Sequence, residues 1–290
     1  MRILIFGCGY LGRRVADAWI GVGNDVFAVT RSQQNAESFR LAGIQPVIAD
    51  VCDLSTLQQL PEAEVVLHAV GFDRNSGRSQ TDVMCGGMRN VLSVIGDRCD
   101  RFIQISSSSV YGQSAGEWVD ELSECRPTQP GGRLCVEAER MVRERFSDVD
   151  AGTANILRLA GIYGPGRLLS RVETLKVGGP LVGRGDSWLN LIHVDDAVSA
   201  VIACERHAKP GETYLVVDDR PIERAEYFGL LARLVGAPVP TFDSSQPSTR
   251  GSGGLNKRCS NRKLCNDLNW SPAYPSIATG LRASMDNPAM

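Results

Sequence analysis

The stretch that most limits what this chain can become is Gly7-Cys8-Gly9-Tyr10-Leu11-Gly12, set directly after the apolar run Arg2–Phe6. Each glycine of this G-x-G-x-x-G spacing has a physical task. Gly7 permits a tight turn, Gly9 lets backbone approach a diphosphate, and Gly12 lets a helix pack closely on the strand. The helix start then presents N–H donors and a positive dipole end to an anion. Strand, turn, helix and a second strand at Asp25–Val29 follow in the order a dinucleotide-binding turn requires. The competing explanation is a glycine turn in an unrelated α/β fold.

The next segments extend the same rhythm. Strands are expected at Pro46–Ala49, Glu64–Ala69, Arg101–Ser106 and Ala154–Leu159, with helical spacing between them. One helix runs from Tyr10 to about Val22, another from about Gln80 to Ile95, and a third over Leu134–Phe146. The charges on the third (Arg133, Glu137, Arg140, Arg143, Glu144) read as a solvated face. Short apolar strands alternating with helices predict a parallel sheet covered on both faces, an α/β Rossmann-like fold. After Leu159 a glycine/proline loop breaks the pattern. Helices at Asp195–Arg206 and Glu223–Leu234 then flank a strand at Thr213–Val217, and Ser244–Gly254 has the composition of a surface loop. The expected division is a nucleotide-binding domain over 1–165 and a smaller substrate-binding part over 166–290, with 187–206 returning to the first.

The end of the second strand selects between cofactors. A carboxylate there would bind the ribose 2′-hydroxyl of NAD, but Thr30-Arg31-Ser32 supplies a guanidinium and two hydroxyls instead. Arg31 suits a 2′-phosphate, so NADP is expected over NAD, unless Arg31 is simply a solvated loop residue. Asp50 after strand three is placed to accept from the adenine amino group, with Val51 beside the ring. Ribose and diphosphate would pass His68-Ala69-Val70-Gly71. His68 itself reads first as an interior histidine.

Composition excludes several functions. Lys+Arg 31 against Asp+Glu 33 gives a net charge of -2, so no basic field recruits nucleic acid or an anionic membrane. No apolar stretch approaches the roughly 18 residues that span a bilayer. The 9 cysteines are odd in number, scattered and without a Cys-x-x-Cys pair, which favours a reduced, cytoplasmic setting. No metal set is expected, since His193, Asp195 and Asp196 lack a further ligand at suitable spacing.

Together the glycine turn, Asp50, His68–Gly71, Ser106-Ser107-Ser108-Ser109-Val110-Tyr111-Gly112, Arg158–Arg167, Asn190–Asp196 and Tyr214–Asp219 resemble the extended short-chain dehydrogenase/reductase superfamily, in its NAD-dependent epimerase/dehydratase group. The resemblance implies a seven-stranded doubly wound sheet, a cofactor along the strand carboxyl ends and a small C-terminal substrate part. It also implies a homodimer through the helices after strands four and five, where Gly86-Gly87 permits close approach.

One departure stands out. The family's tyrosine and lysine, one helical turn apart, carry the acid/base step. Their places fall on Gly131 and Cys135, and no other Tyr-x-x-x-Lys occurs in the chain. The pattern is thus similar to the atypical, YeeZ-type branch. Ser107 matches the family's active-site serine. Tyr111, Tyr163 and His193 are candidate proton donors, each also readable as structural. Arg167, Arg184, Lys257 and Arg258 are candidates for an acidic substrate group. Two functions stay open: an NADP-dependent oxidoreductase or epimerase/dehydratase acting on a small polar molecule, or a non-catalytic NADPH-binding sensor or scaffold.

Overall fold

Four- to seven-residue runs of branched and aromatic side chains, buried on both faces, form the central sheet. The structure is a computed structural model that describes residues 1–95, 99–147, 152–167, 169–245 and 255–286. Its strands are β1 (Arg2–Phe6), β2 (Asp25–Thr30), β3 (Gln45–Ile48), β4 (Val65–His68), β5 (Arg101–Ser107), β6 (Thr153–Leu159) and β7 (Thr213–Val216). They lie in the order β7-β6-β5-β4-β1-β2-β3, so the chain reverses direction across the sheet beside β1. The doubly wound parallel sheet expected from sequence is therefore present, with Phe6 in register with His68 and Val29. At such a reversal the strand carboxyl ends leave a crevice for a ligand.

The chain divides into two units. Unit 1 is Met1–Val110, Pro130–Arg158 and Val198–Tyr214; unit 2 is Tyr111–Gln129, Leu159–Ala197 and Leu215–Met290. In unit 1, α1 (Tyr10–Ile20) buries Leu11, Val15 and Trp19, while α2 (Gln33–Leu41) is held by Ala36 and Phe39. The helical stretch from Gln80 contains a π-helical turn at Asp82–Gly86 and then α3 (Gly87–Ile95). A Cβ on Gly87 would lie 2.8 Å from Val51 Cγ2, so the glycine is what lets this helix settle on the segment after β3. α4 (Pro130–Arg145) starts four residues before the expected Leu134, because proline tolerates the first helical turn.

Unit 2 has its own core of Tyr163, Leu175, Leu191, Tyr227, Leu231 and Leu281. Its helices are α5 (Leu169–Val177), α7 (Arg224–Val235), α8 (Arg262–Leu268) and α9 (Ile277–Asp286); α6 (Val194–His207) begins in unit 2 and continues into residues of unit 1. Short parallel pairs join Leu191–His193 to Gly161–Tyr163 and Lys257–Cys259 to Glu117–Val119. Of the expected surface loop, Ser244 and Ser245 form an exposed turn; 246–254 lie outside the described residues. Among the described residues no helix is long and apolar enough to cross a membrane.

Candidate functional site

The turn after β1 has the shape its glycines imply. Gly7 takes φ +89°, and a Cβ there would sit 2.3 Å from the Ala69 carbonyl oxygen, so only glycine fits against the end of β4. Gly12 is closed in the same way, its would-be Cβ 2.5 Å from Gly7 O. Gly9 is the opposite case: nothing lies within 4 Å of a Cβ built on it. Two glycines are thus needed for packing and one leaves an open backbone surface at the start of α1. A diphosphate fits such a cradle. Tyr10 lies beneath the Arg14 guanidinium, 4.2 Å from its ring centre, and Leu11 is buried.

At the end of β2, Thr30 and Ser32 are engaged locally. Thr30 Oγ1 accepts from Ser32 N at 3.2 Å, and Ser32 Oγ caps α2 by accepting from Asn35 N at 3.3 Å. Arg31 is half-exposed and stands 4.0 Å from the Asp73 carboxylate. Asp50 accepts from Cys52 N at 2.9 Å and from Arg78 at 3.3 Å. The loop after β4 therefore sends Asp73 to Arg31 and Arg78 to Asp50, two contacts that sequence spacing gives no sign of. Val51 packs on Gly87 and accepts through its carbonyl from Asn90 at 2.9 Å.

His68 lies 4 % exposed between Phe6 and Phe102, with ring centres 6.1 and 6.2 Å away. Burial pushes its pKa down to about 4, so it is neutral at physiological pH. Its Nε2 has no hydrogen-bond partner among the described residues. Val70 is half-buried against the unit 1 core.

At the end of β5 the two neighbouring serines diverge. Ser106 is buried and donates to Glu139 Oε1 at 2.6 Å. Ser107 is half-buried, and its Oγ accepts from Ser109 N at 3.1 Å, which leaves the hydroxyl proton available. Arg158, near the end of β6, is buried and holds Glu139 through Nε at 3.0 Å and Nη2 at 2.7 Å. Burial pushes the Glu139 carboxyl up, but Arg158, Ser106 and Arg143 more than reverse this, leaving it below its ordinary range. Glu139 was hidden in sequence because it sits inside a run of solvated charges.

The two positions of the missing pair are filled differently. A Cβ on Gly131 would lie 3.2 Å from Gln80 Nε2, so the glutamine amide stands where a larger side chain would begin. Cys135 is 7 % exposed, and burial raises its thiol pKa, with hydrogen bonds from Ser109 and Ser106 opposing. It is a packed thiol rather than a nucleophile.

Within unit 2, Tyr163 and His193 come together, ring centres 5.2 Å apart and edge to face, with Tyr274 a further 4.1 Å from His193. Both are about 1 % exposed. The Tyr163 hydroxyl is roofed by Gly280, whose would-be Cβ lies 2.1 Å from it. Burial, then Asp218 and Asp196, raise its pKa far above the ordinary range. His193 Nδ1 accepts from Asp195 N at 3.2 Å. Helix α6 starts at Val194, one residue before the expected Asp195, so Asp195 lies in its first turn. Asp196 instead accepts from Ala273 N at 2.7 Å and Tyr274 N at 3.0 Å. Tyr111 is fully buried, and its carbonyl accepts from Lys257 Nζ at 3.0 Å.

The expected anion-binding residues separate likewise. Arg184 is paired with Asp186 and Lys257 is buried. Arg258 lies between Trp118 and Trp188, 5.1 and 5.2 Å from their ring centres, and Arg167 is exposed. Among the described residues no group of His, Cys, Asp and Glu could hold a metal ion.

Residues 3–216 match the model of the NAD dependent epimerase/dehydratase family. The protein YeeZ of Escherichia coli K12 is 28% identical over 279 residues, covering 94% of this chain and 96% of that one. A solved conserved protein of unknown function from Silicibacter pomeroyi is 26% identical with a TM-score of 0.80, covering 100% and 99%. UDP-glucuronic acid 4-epimerase from Bacillus cereus, solved with UDP-glucuronic acid and NAD, shares the fold at a TM-score of 0.81 and 22% identity, covering 99% and 98%.

Proposed function

Because the chain belongs to the NAD dependent epimerase/dehydratase family, we propose that it binds NADP and acts as an oxidoreductase or epimerase/dehydratase on a small polar molecule. The observation that carries this is the cradle of Gly7, Gly9 and Gly12, closed on two sides and open at Gly9. In this reading the turn, with Tyr10 and Leu11 at the helix start, holds the diphosphate. Arg31, flanked by Thr30 and Ser32, takes the 2′-phosphate after exchanging Asp73 for it. Asp50 and Val51 bound the adenine, and His68, Ala69 and Val70 form the sheet edge beneath the ribose. A bound nicotinamide supplies or accepts a hydride at the substrate carbon.

The chain's own part in the chemistry is small. Ser107 donates a hydrogen bond to the substrate oxygen, its hydroxyl hydrogen being left to offer while Oγ accepts from Ser109 N. Burial of Tyr163 and His193 speaks against proton transfer by either in the free protein, so of the three the proposal gives the chemical role to Ser107. A second reading, an NADPH-binding sensor or scaffold, is favoured by one observation: Gly131 and Cys135 offer no acid or base, and Cys135 is packed away.

Two measurements test these readings. NADPH should bind at least about tenfold tighter than NADH, and Arg31→Ala should erase the difference; equal affinities in the parent protein would refute the 2′-phosphate assignment. NADPH incubated with carbonyl compounds and nucleotide sugars should then be consumed, or a sugar product should form, in a Ser107-dependent manner. Tight binding with no turnover on any of them selects the sensor.

A further inference from the structure

Of the basic residues that the sequence offers for an acidic substrate group, Lys257 stands apart because it is only 5 % exposed. A lysine normally lays its stem on apolar surface and keeps its ammonium in water. In unit 2 the strand pairing fixes the opposite arrangement. Lys257–Cys259 runs parallel to Glu117–Val119, and strand alternation turns Lys257 and Cys259 inward while Arg258 faces the exposed Trp118. Asn190 clamps that orientation: its Nδ2 donates to Lys257 O at 2.9 Å, and its Oδ1 accepts from Cys259 N at 2.7 Å.

The buried ammonium lacks a counter-charge. Its Nζ donates to the Tyr111 carbonyl at 3.0 Å, which uses one of three donors, and no ion pair reaches it among the described residues. The acids nearby are directed elsewhere. Glu117, the register partner of Lys257, accepts from Ala115 N at 2.9 Å. Glu121 accepts from Leu215 N at 2.6 Å and acts on the Cys259 thiol, not on Lys257. Burial lowers the ammonium's pKa, and no carboxylate opposes the shift. A buried cation is unfavourable until an anion meets it, and an apolar side chain of the same length would pack here without that penalty. Two unused donors on a single positive charge suit the two oxygens of a carboxylate. A phosphoryl dianion would leave one negative charge buried and unbalanced.

We propose that Lys257 determines specificity: its ammonium, steadied by the Tyr111 carbonyl, pairs with a carboxylate carried by the small-molecule substrate. The proposal rests on the preceding reading that the protein takes a small polar molecule, and adds that this molecule is an acid. A neutral analogue is rejected because it leaves the ammonium buried and unpaired.

The test is NMR of the full chain with its lysines labelled with 13C at Cε, the Lys257 signal being identified by its absence in Lys257→Met. The protein is titrated at constant ionic strength with acetate, D-glucuronate, glucose and inorganic phosphate. The Lys257 signal should shift saturably with acetate or D-glucuronate and stay fixed with glucose. Calorimetric affinity for the same carboxylate should fall at least about tenfold in Lys257→Met and in Lys257→Gln. The glutamine keeps a donor for the Tyr111 carbonyl, and the parent's own signal decides the matter even if neither variant folds. A Lys257 signal unmoved by both carboxylates up to about 50 mM overturns the proposal. So does carboxylate binding by either folded variant within about twofold of the parent, or inorganic phosphate binding more tightly than both carboxylates. NADPH titrated into the parent keeps the two readings apart. NADPH binding with no carboxylate response removes this proposal alone, and a carboxylate response without NADPH binding removes the cofactor reading alone.

Discussion

Asp218 offers the sharpest test of the packing in unit 2. Its carboxyl is 2 % exposed, and the one donor that approaches it is the Arg220 backbone N–H, which falls short of full hydrogen-bond geometry. Burial, reinforced by Asp219 and Asp196, raises its pKa from 3.8 to about 8, against a smaller opposing effect of the Arg220 backbone N–H. The folded protein thus keeps a proton that the unfolded chain has released from about pH 4 upward. With more protons bound in the folded state, stability must fall as pH rises toward 8 and level off above it. The limiting slope is about 1.4 kcal/mol per pH unit. Between pH 6.5 and 8 the loss integrates to about 1.5 kcal/mol, or roughly 3–6 °C in melting temperature. His68, near 4 when folded and 6.5 when free, acts in the opposite sense and offsets only about 0.4 kcal/mol of this loss at the lower edge of the window. The buried thiols titrate above the window, which keeps Asp218 the dominant group. Thermal melts of the parent and of Asp218→Asn across this range measure the difference. The asparagine protein should lack the slope. If both proteins lose stability in parallel, or the parent is more stable at pH 8, the buried carboxyl is not what the packing makes it.

Three further outcomes follow from the geometry. Glu139→Ala removes the carboxylate that faces the buried Arg158 and should cost about 3–5 kcal/mol in urea unfolding; because the Glu139 pKa is depressed, its contribution is present above its ordinary value of 4.5 and fades as pH falls. Gly12→Ala drives a Cβ into the Gly7 carbonyl at 2.5 Å and should lower stability by about 1–3 kcal/mol, as read from melting. Gly9→Ala meets no neighbouring atom, so it should keep stability within about 1 kcal/mol while weakening NADPH by about tenfold in a fluorescence titration.

The central sheet was legible because its evidence is local. Each strand from Arg2–Phe6 to Thr213–Val216 is an apolar run bounded by turn residues, and periodicity needs no knowledge of partners. Helix α2 escaped because only Ala36 and Phe39 are buried in it, too few to mark a face. The site was legible to the same extent. The glycine turn carries its meaning in its spacing, whereas Glu139 with Arg158 and Asp73 with Arg31 are brought together over separations of 19 and 42 residues. Burial of a charge depends on what the fold sets against it, and Lys257 against the Tyr111 carbonyl, 146 residues away, has no signature in its neighbours.

The π-helical turn at Asp82–Gly86 makes residue count, more than residue type, the guarded quantity in its helix. An insertion of one residue relative to α-helical winding turns everything downstream by about 100°. That rotation is what aims Gly87 at Val51 and Asn90 at the Val51 carbonyl. Deleting one residue inside the turn would restore ordinary winding and leave Gly87 in place, whereas deleting one between Gly87 and Asn90 would swing the asparagine away from the Val51 carbonyl. A chain descended from this one can exchange side chains along Gln80–Ile95 far more freely than it can lengthen or shorten the segment.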